Sequence, residues 1–105
     1  MKILNKARYT LDEIREKVVP VAKKYGVEKI WLFGSYARGD ADEKSDVDFL
    51  IDRGKIRGLQ YFGFVLDLEE IFKCHVDVVS INITNKKFLD EIGKDEVLIY
   101  EEETA

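Results

Sequence analysis

Asp46 and Asp48 stand two residues apart at the entrance of the apolar run "VDFLI", and Asp77 stands alone among Val76, Val78 and Val79. Residues i and i+2 of a strand project from the same face, so the first two carboxylates would repel each other while both surrender solvation. A hard divalent cation relieves both penalties. Mg2+ takes oxygen ligands and is commonly held by one or two carboxylates together with substrate phosphates. Gly34 and Ser35 follow "WLF" directly, so a turn with a hydroxyl and free N–H groups would sit at the edge of a sheet, a geometry suited to phosphate. Three carboxylates from two neighbouring strands beside such a turn are the parts needed for two-metal phosphoryl or nucleotidyl transfer.

The remaining reactive residue types have plainer readings. Asp40, Asp42 and Glu43 fall in the polar loop between the two apolar runs and read as solvated turn residues. His75, two residues before Asp77, reads as a structural histidine at a strand start rather than a general base. Cys74 is the only cysteine, which excludes an internal disulfide and a cysteine zinc site; with Phe72 and Val76 beside it, the thiol is expected to be buried or half-buried. Trp31 and the aromatic residues of the long second helix read as core.

The elements that must position these residues follow from periodicity. Thr10 and Glu13 form a capping box at the head of "TLDEIREKVVPVAKKYG". Leu11, Ile14, Val18, Val21 and Tyr25 then keep helical spacing up to Gly26. Pro20 inside that pattern predicts a kink, or two short helices meeting near Val19. "VEKIWLF" predicts an internal strand, with Ile30 and Leu32 on one face and Trp31 and Phe33 on the other, both covered. "VDFLI" predicts a second strand, closed by a turn at Asp52, Arg53 and Gly54.

Residues 56–73 predict a helix with more large apolar side chains than one sheet-facing side can hide. Leu59, Phe62 and Leu66 trace one line, with Glu69 extending it, and Gly63 marks a possible close approach. "HVDVVSI" predicts the third strand, "NKKFLDEIG" a short helix capped by Thr84, and "EVLIY" the last strand.

A chain of 105 residues is ordinary for one domain, burying about 65% of the surface its unfolded form exposes. The expectation is a single α/β domain over residues 1–105 with its core at about 10–100: a mixed central sheet of about four strands flanked by helices. The net charge of −4 and the lack of a Lys/Arg cluster argue against direct nucleic-acid binding. No apolar run approaches the ~20 residues of a membrane span, so no membrane association is expected and the cytoplasm is the expected compartment.

"GSYARG", then "SDVDFLI", then the single acid of "HVDVVS" resemble the signature of the minimal nucleotidyltransferases, small members of the DNA polymerase beta-like nucleotidyltransferase superfamily. The resemblance runs from Thr10 to Tyr100 and rests on Gly34, Ser35, Ala37, Arg38, Gly39, Ser45, Asp46, Asp48 and Asp77. It implies the polymerase beta-like fold, with Asp46, Asp48 and Asp77 as catalytic, metal-binding carboxylates for Mg2+, two ions in the family. It implies that Gly34 and Ser35 hold the triphosphate of ATP, and that Arg38 contacts phosphate, acceptor or its own loop.

Stand-alone family members of this size resemble antitoxins that transfer AMP to a tyrosine of a HEPN-type toxin, which makes such a toxin the implied partner, with self-association as a fallback. Two other functions fit the residues: a non-catalytic module that covers its partner, and an enzyme acting on a small molecule such as an antibiotic.

Overall fold

The computed structural model describes residues 7–54, 56–82 and 85–102. In chain order these form α1 (Leu11–Tyr25), β1 (Lys29–Phe33), α2 (Gly34–Arg38), β2 (Val47–Asp52), α3 (Leu59–Phe72), β3 (Val76–Ser80), α4 (Lys86–Ile92) and β4 (Val97–Glu101). The strands lie side by side in the order β3-β2-β1-β4. β1 pairs antiparallel with β2 and with β4, while β2 and β3 are parallel, so the sheet is mixed as expected. Among the described residues no helix is long and apolar enough to cross a membrane.

The period of two in β1 and β2 sorts their side chains by face. Ile30 lies opposite Ile51 and Leu32 opposite Phe49, all buried, and α1 and α3 pack over this side. Phe49 meets Phe72 of α3 with ring centroids 5.9 Å apart, and Tyr25 of α1 meets Phe64 edge-on at 5.7 Å. On the other face Trp31 lies opposite Leu50 and Phe33 opposite Asp48. Here the cover is thin. The seven residues of α4 bury none of their own side chains; Phe88 touches Phe33 at 6.3 Å, and a groove bounded by Trp31, Leu50 and Leu89 leaves Trp31 half-buried. β1 is thus internal, but its second face is only partly covered, because α4 is too short to roof the sheet.

Helix α1 opens with the capping box: Glu13 N–H donates to Thr10 Oγ1 at 3.1 Å and Thr10 N–H to Glu13 Oε1 at 2.8 Å. It buries Ile14, Val18, Val21 and Ala22, leaves Leu11 exposed, and ends on Gly26 at φ 75°. One helix runs through Pro20, not two. The proline sits on the exposed side, where water can satisfy the backbone carbonyl it leaves without a donor.

Gly63 of α3 leaves room for Tyr25 of α1. A Cβ there would lie 3.0 Å from the Tyr25 hydroxyl, which itself donates to Asp67 at 2.8 Å. Three boundaries differ from expectation. Asp52 is the last residue of β2, paired with Lys29, rather than part of the turn. α3 begins at Leu59 because Gly58, at φ 57°, stands just before it. The Thr84 cap falls outside the described residues, and α4 is capped by Asn85, whose side chain accepts from Lys87 N–H at 2.7 Å.

The helical period of α3 separates Phe64, which is fully buried, from Phe62, which is 61% exposed. Phe64→Ala is expected to lower unfolding free energy by about 3–5 kcal/mol. Phe62→Ala should stay within about 0.5 kcal/mol of the parent, as read by urea unfolding monitored through far-UV circular dichroism.

Candidate active site

The parallel register of β2 and β3 sets Asp48 directly beside Asp77, on the face away from the α1–α3 core. Asp46 precedes β2 by one residue, and contacts of its neighbours on either side hold the backbone there. The Val47 N–H donates to the His75 carbonyl at 3.3 Å, joining the start of β2 to the start of β3. Upstream, Asp42 and Ser45 clasp each other: Ser45 Oγ accepts from Asp42 N–H at 2.9 Å, and Asp42 Oδ1 accepts from Lys44 N–H at 2.8 Å. Asp42 is therefore a turn holder that aims the loop, not merely a solvated residue. Asp40 remains on the surface, paired with Arg38 at 3.1 Å. Arg38 is thereby held to its own loop.

Gly34 and Ser35 open a short helix, α2, where the sequence predicts a turn. Gly34 has φ 74°, and a Cβ on it would collide with Oδ2 of Asp48. Glycine is required here before any ligand arrives, because both the left-handed backbone and the neighbouring carboxylate exclude a side chain. Tyr36, which the motif leaves unspecified, anchors α2 by burying its ring in the core. Its signal in the sequence is one large aromatic residue inside a polar motif.

The carboxylates are unequal. Asp46 and Asp77 are exposed, whereas Asp48 lies deeper. Burial, the hydrogen-bonding carboxyl of Asp77 and the charges of Asp77 and Asp46 together push Asp48 up to about 6, against the opposing pull of His75. His75 stands in the site, where its place in the sequence predicts only a structural histidine at a strand start. Its Nε2 lies 2.8 Å from Asp77 Oδ1 and its Nδ1 3.3 Å from Glu69 Oε2. The hydrogen bond to Asp77 raises its pKa above the usual histidine value. Donor atoms of Asp46, His75 and Asp77 all lie within 4.8 Å of one another. Cys74, half-buried as expected, has its thiol pushed up by burial and is a poor nucleophile.

The Polymerase beta, Nucleotidyltransferase family matches residues 16–105. The chain belongs to this family. It is 45% identical over 73 residues to the protein adenylyltransferase MntA of Thermococcus cleftensis, across 65% of this chain and 70% of that one. A Methanocaldococcus jannaschii chain provisionally named a protein adenylyltransferase is 35% identical over 83 residues, 78% of this chain and 89% of the relative. Among solved structures, one provisionally described as a minimal nucleotidyltransferase superposes with TM-score 0.72 at 27% identity, over 88% of this chain and 98% of the other. A toxin–antitoxin structure with AMP-PNP superposes with TM-score 0.73 over 84% of this chain and 73% of that one; at 16% identity it establishes the fold alone.

The enzyme is a nucleotidyltransferase with the polymerase beta-like fold, and the family works on nucleotides with a divalent metal. The donor set fits such a cation: hard carboxylate oxygens gathered closely enough that burial and their own charges hold Asp48 partly protonated.

A raised carboxyl pKa means that the folded state binds the Asp48 proton more tightly than the unfolded chain does. Stability is therefore lost as pH rises from the ordinary aspartate range through about 6. In a chelating buffer, Asp48→Asn is expected to be more stable than the parent at pH 8 by about 1 kcal/mol after solvent screening. The difference should shrink towards zero near pH 4, as measured by urea unfolding at each pH.

Proposed function

We propose that this chain transfers AMP from ATP to a hydroxyl of a partner protein, a tyrosine of a HEPN-type toxin, and thereby acts as that toxin's antitoxin. The observation that carries the reading is the gathering of Asp46, Asp48 and Asp77 at the adjoining ends of two parallel strands, against Gly34 at the start of α2. These carboxylates would hold Mg2+, as two ions, which supplies charge neutralisation at the phosphates. Gly34 and Ser35 receive the triphosphate through the backbone N–H groups of the first turn and the serine hydroxyl. Arg38, on the last turn of α2, keeps the following loop in place through Asp40. Asp77 lies on the edge strand and is the carboxylate an incoming hydroxyl meets; its oxygens lower the barrier to removing the hydroxyl proton.

A protein acceptor is supported by the naming of the relatives and by the surface beside the site. Leu59, Phe62 and Leu66 are 88%, 61% and 47% exposed along one line of α3, as the surplus of apolar residues predicts. A solvent-facing line of this kind marks an interface. Continued one turn, it reaches Glu69, whose carboxylate holds His75 beside Asp77. From Phe62 to Glu69 the helix rises about 10 Å, so a protein seated on α3 has side chains within reach of the carboxylates. The same line favours a second reading, in which the chain silences its partner by covering it.

The readings separate in one experiment. A HEPN-type protein is incubated with this chain, Mg2+ and each nucleoside triphosphate, and intact mass is measured. AMP-sized increments on a partner tyrosine, with ATP and not with the other nucleotides, are expected. Asp48→Asn should slow their appearance by on the order of 10²–10³-fold, the scale for losing one group that stabilises transition-state charge. A toxin silenced by Asp48→Asn without any mass increment would establish covering instead.

The interface has its own check. Phe62→Glu is expected to weaken assembly with the partner about tenfold or more while leaving the urea midpoint nearly unchanged, as read by light scattering of the mixed proteins. An unaltered assembly would place the interface elsewhere.

A further inference from the structure

We propose that the groove between the sheet and α4 is a nucleobase subsite, with the ring of Trp31 as its stacking surface and the carboxylates of Asp90 and Glu96 as acceptors for the exocyclic amino group of adenine. The inference rests on the reading of the carboxylates and Gly34 as a nucleotide site, and adds the feature that would choose among bases. The groove holds about 440 Å³, within the range of small-molecule sites, and Trp31, Leu50, Ile81, Leu89, Asp90 and Glu96 line it. Its position follows from register. Trp31 lies opposite Leu50 and Phe33 opposite Asp48, and residues two apart on a strand share a face. Groove and carboxylate are therefore neighbours on one side of the sheet, about 7 Å apart along β2. A ribose bridges such a gap between the first phosphate and the base. Phe33, with Phe88 of α4 edge-on against it, keeps the intervening surface aromatic.

The chemistry of the groove suits a base rather than any other part of a nucleotide. Trp31 stays half-buried on an internal strand because α4 is too short to cover it, and an indole open on one side is a surface on which a base can stack. Asp90 and Glu96 are exposed at the margin of the groove. Ionised carboxylates repel phosphate and accept from N–H groups, so this end turns away a triphosphate and takes an amino group. The turn at Gly34 and Ser35 has the opposite preference. Together the two ends fix the direction in which the nucleotide lies across the sheet.

Trp31 is the only tryptophan, so its fluorescence reports on the groove directly and needs no substitution. The full chain with Mg2+ is titrated with ATP and with inorganic tripolyphosphate, and both affinities are measured by calorimetry. ATP is expected to quench the tryptophan emission, whereas tripolyphosphate should bind without quenching it. Trp31→Ala should weaken ATP about tenfold, the scale of one lost stacking contact, and leave tripolyphosphate within about threefold. Thermal melts confirm that each variant is folded. The parent should bind ATP about tenfold more tightly than purine riboside triphosphate, which lacks the amino group, the scale of one hydrogen bond to a charged acceptor. In the double variant Asp90→Asn with Glu96→Gln that preference should fall below about threefold, because the charged acceptors are gone. ATP that binds without quenching, or a preference that persists in the double variant, overturns the proposal and leaves the nucleotide site without this subsite. Failure of the parent to bind both ATP and tripolyphosphate overturns the nucleotide site itself, and is thereby distinguishable from failure of the groove alone.

Discussion

The parallel pairing of β2 with β3 is the constraint on which the rest of the site depends. It places Asp48 beside Asp77 at fixed register, with Asp46 one residue before the strand. Sheet hydrogen bonds do not yield to side-chain repulsion, so the carboxylates stay together even though each raises the cost of ionising the next. Burial and the neighbouring carboxylates accordingly push the Asp48 carboxyl up to about 6. A site strained in this way, before any cation is present, is prepared for one, because charge neutralisation removes a penalty the fold already carries.

The cost is tolerable because of where it falls. Phe49 and Ile51 alternate with Asp48 along β2, so the apolar residues enter the core between the sheet and α1–α3 while the acid leaves on the opposite face. That face is only partly roofed by α4, which leaves room at the strand ends for ligands. Gly34 belongs to the same economy of space. Its missing side chain lets the Asp48 carboxylate lie against the start of α2, and this brings the first turn of that helix and the carboxylate oxygens to a common point.

Helix α3 joins stability to recognition. Phe64, Leu68 and Phe72 fill the core, and Gly63 admits Tyr25 so that α1 can pack closely. The opposite side shows Leu59, Phe62 and Leu66 to solvent, and the same line ends on Glu69, which meets His75. One helical period thus serves the core on one side and, on the other, an outward line that ends at the site.

Much of this was legible in the residues themselves. The capping box, the alternation in β1 and β2, the apolar surplus of α3 and the ordered motif pieces are short-range patterns, set by periods of two and 3.6 that any local stretch displays. They determine three of the helices and all four strands, the exposed line on α3, and the types of residue available for chemistry, but not α2, whose place they read as a turn. Other features appear only when distant segments meet. The collision that makes Gly34 obligatory involves Asp48 of the neighbouring strand. The passage of α1 through Pro20 depends on which side faces water. The meeting of Glu69, His75 and Asp77 requires α3 to cross over and return the chain parallel to β2. His75 looked structural because its neighbours in sequence are Cys74 and Val76; its neighbours in space are carboxylates. Register between non-adjacent segments is a product of packing the whole chain, and no local periodicity encodes it.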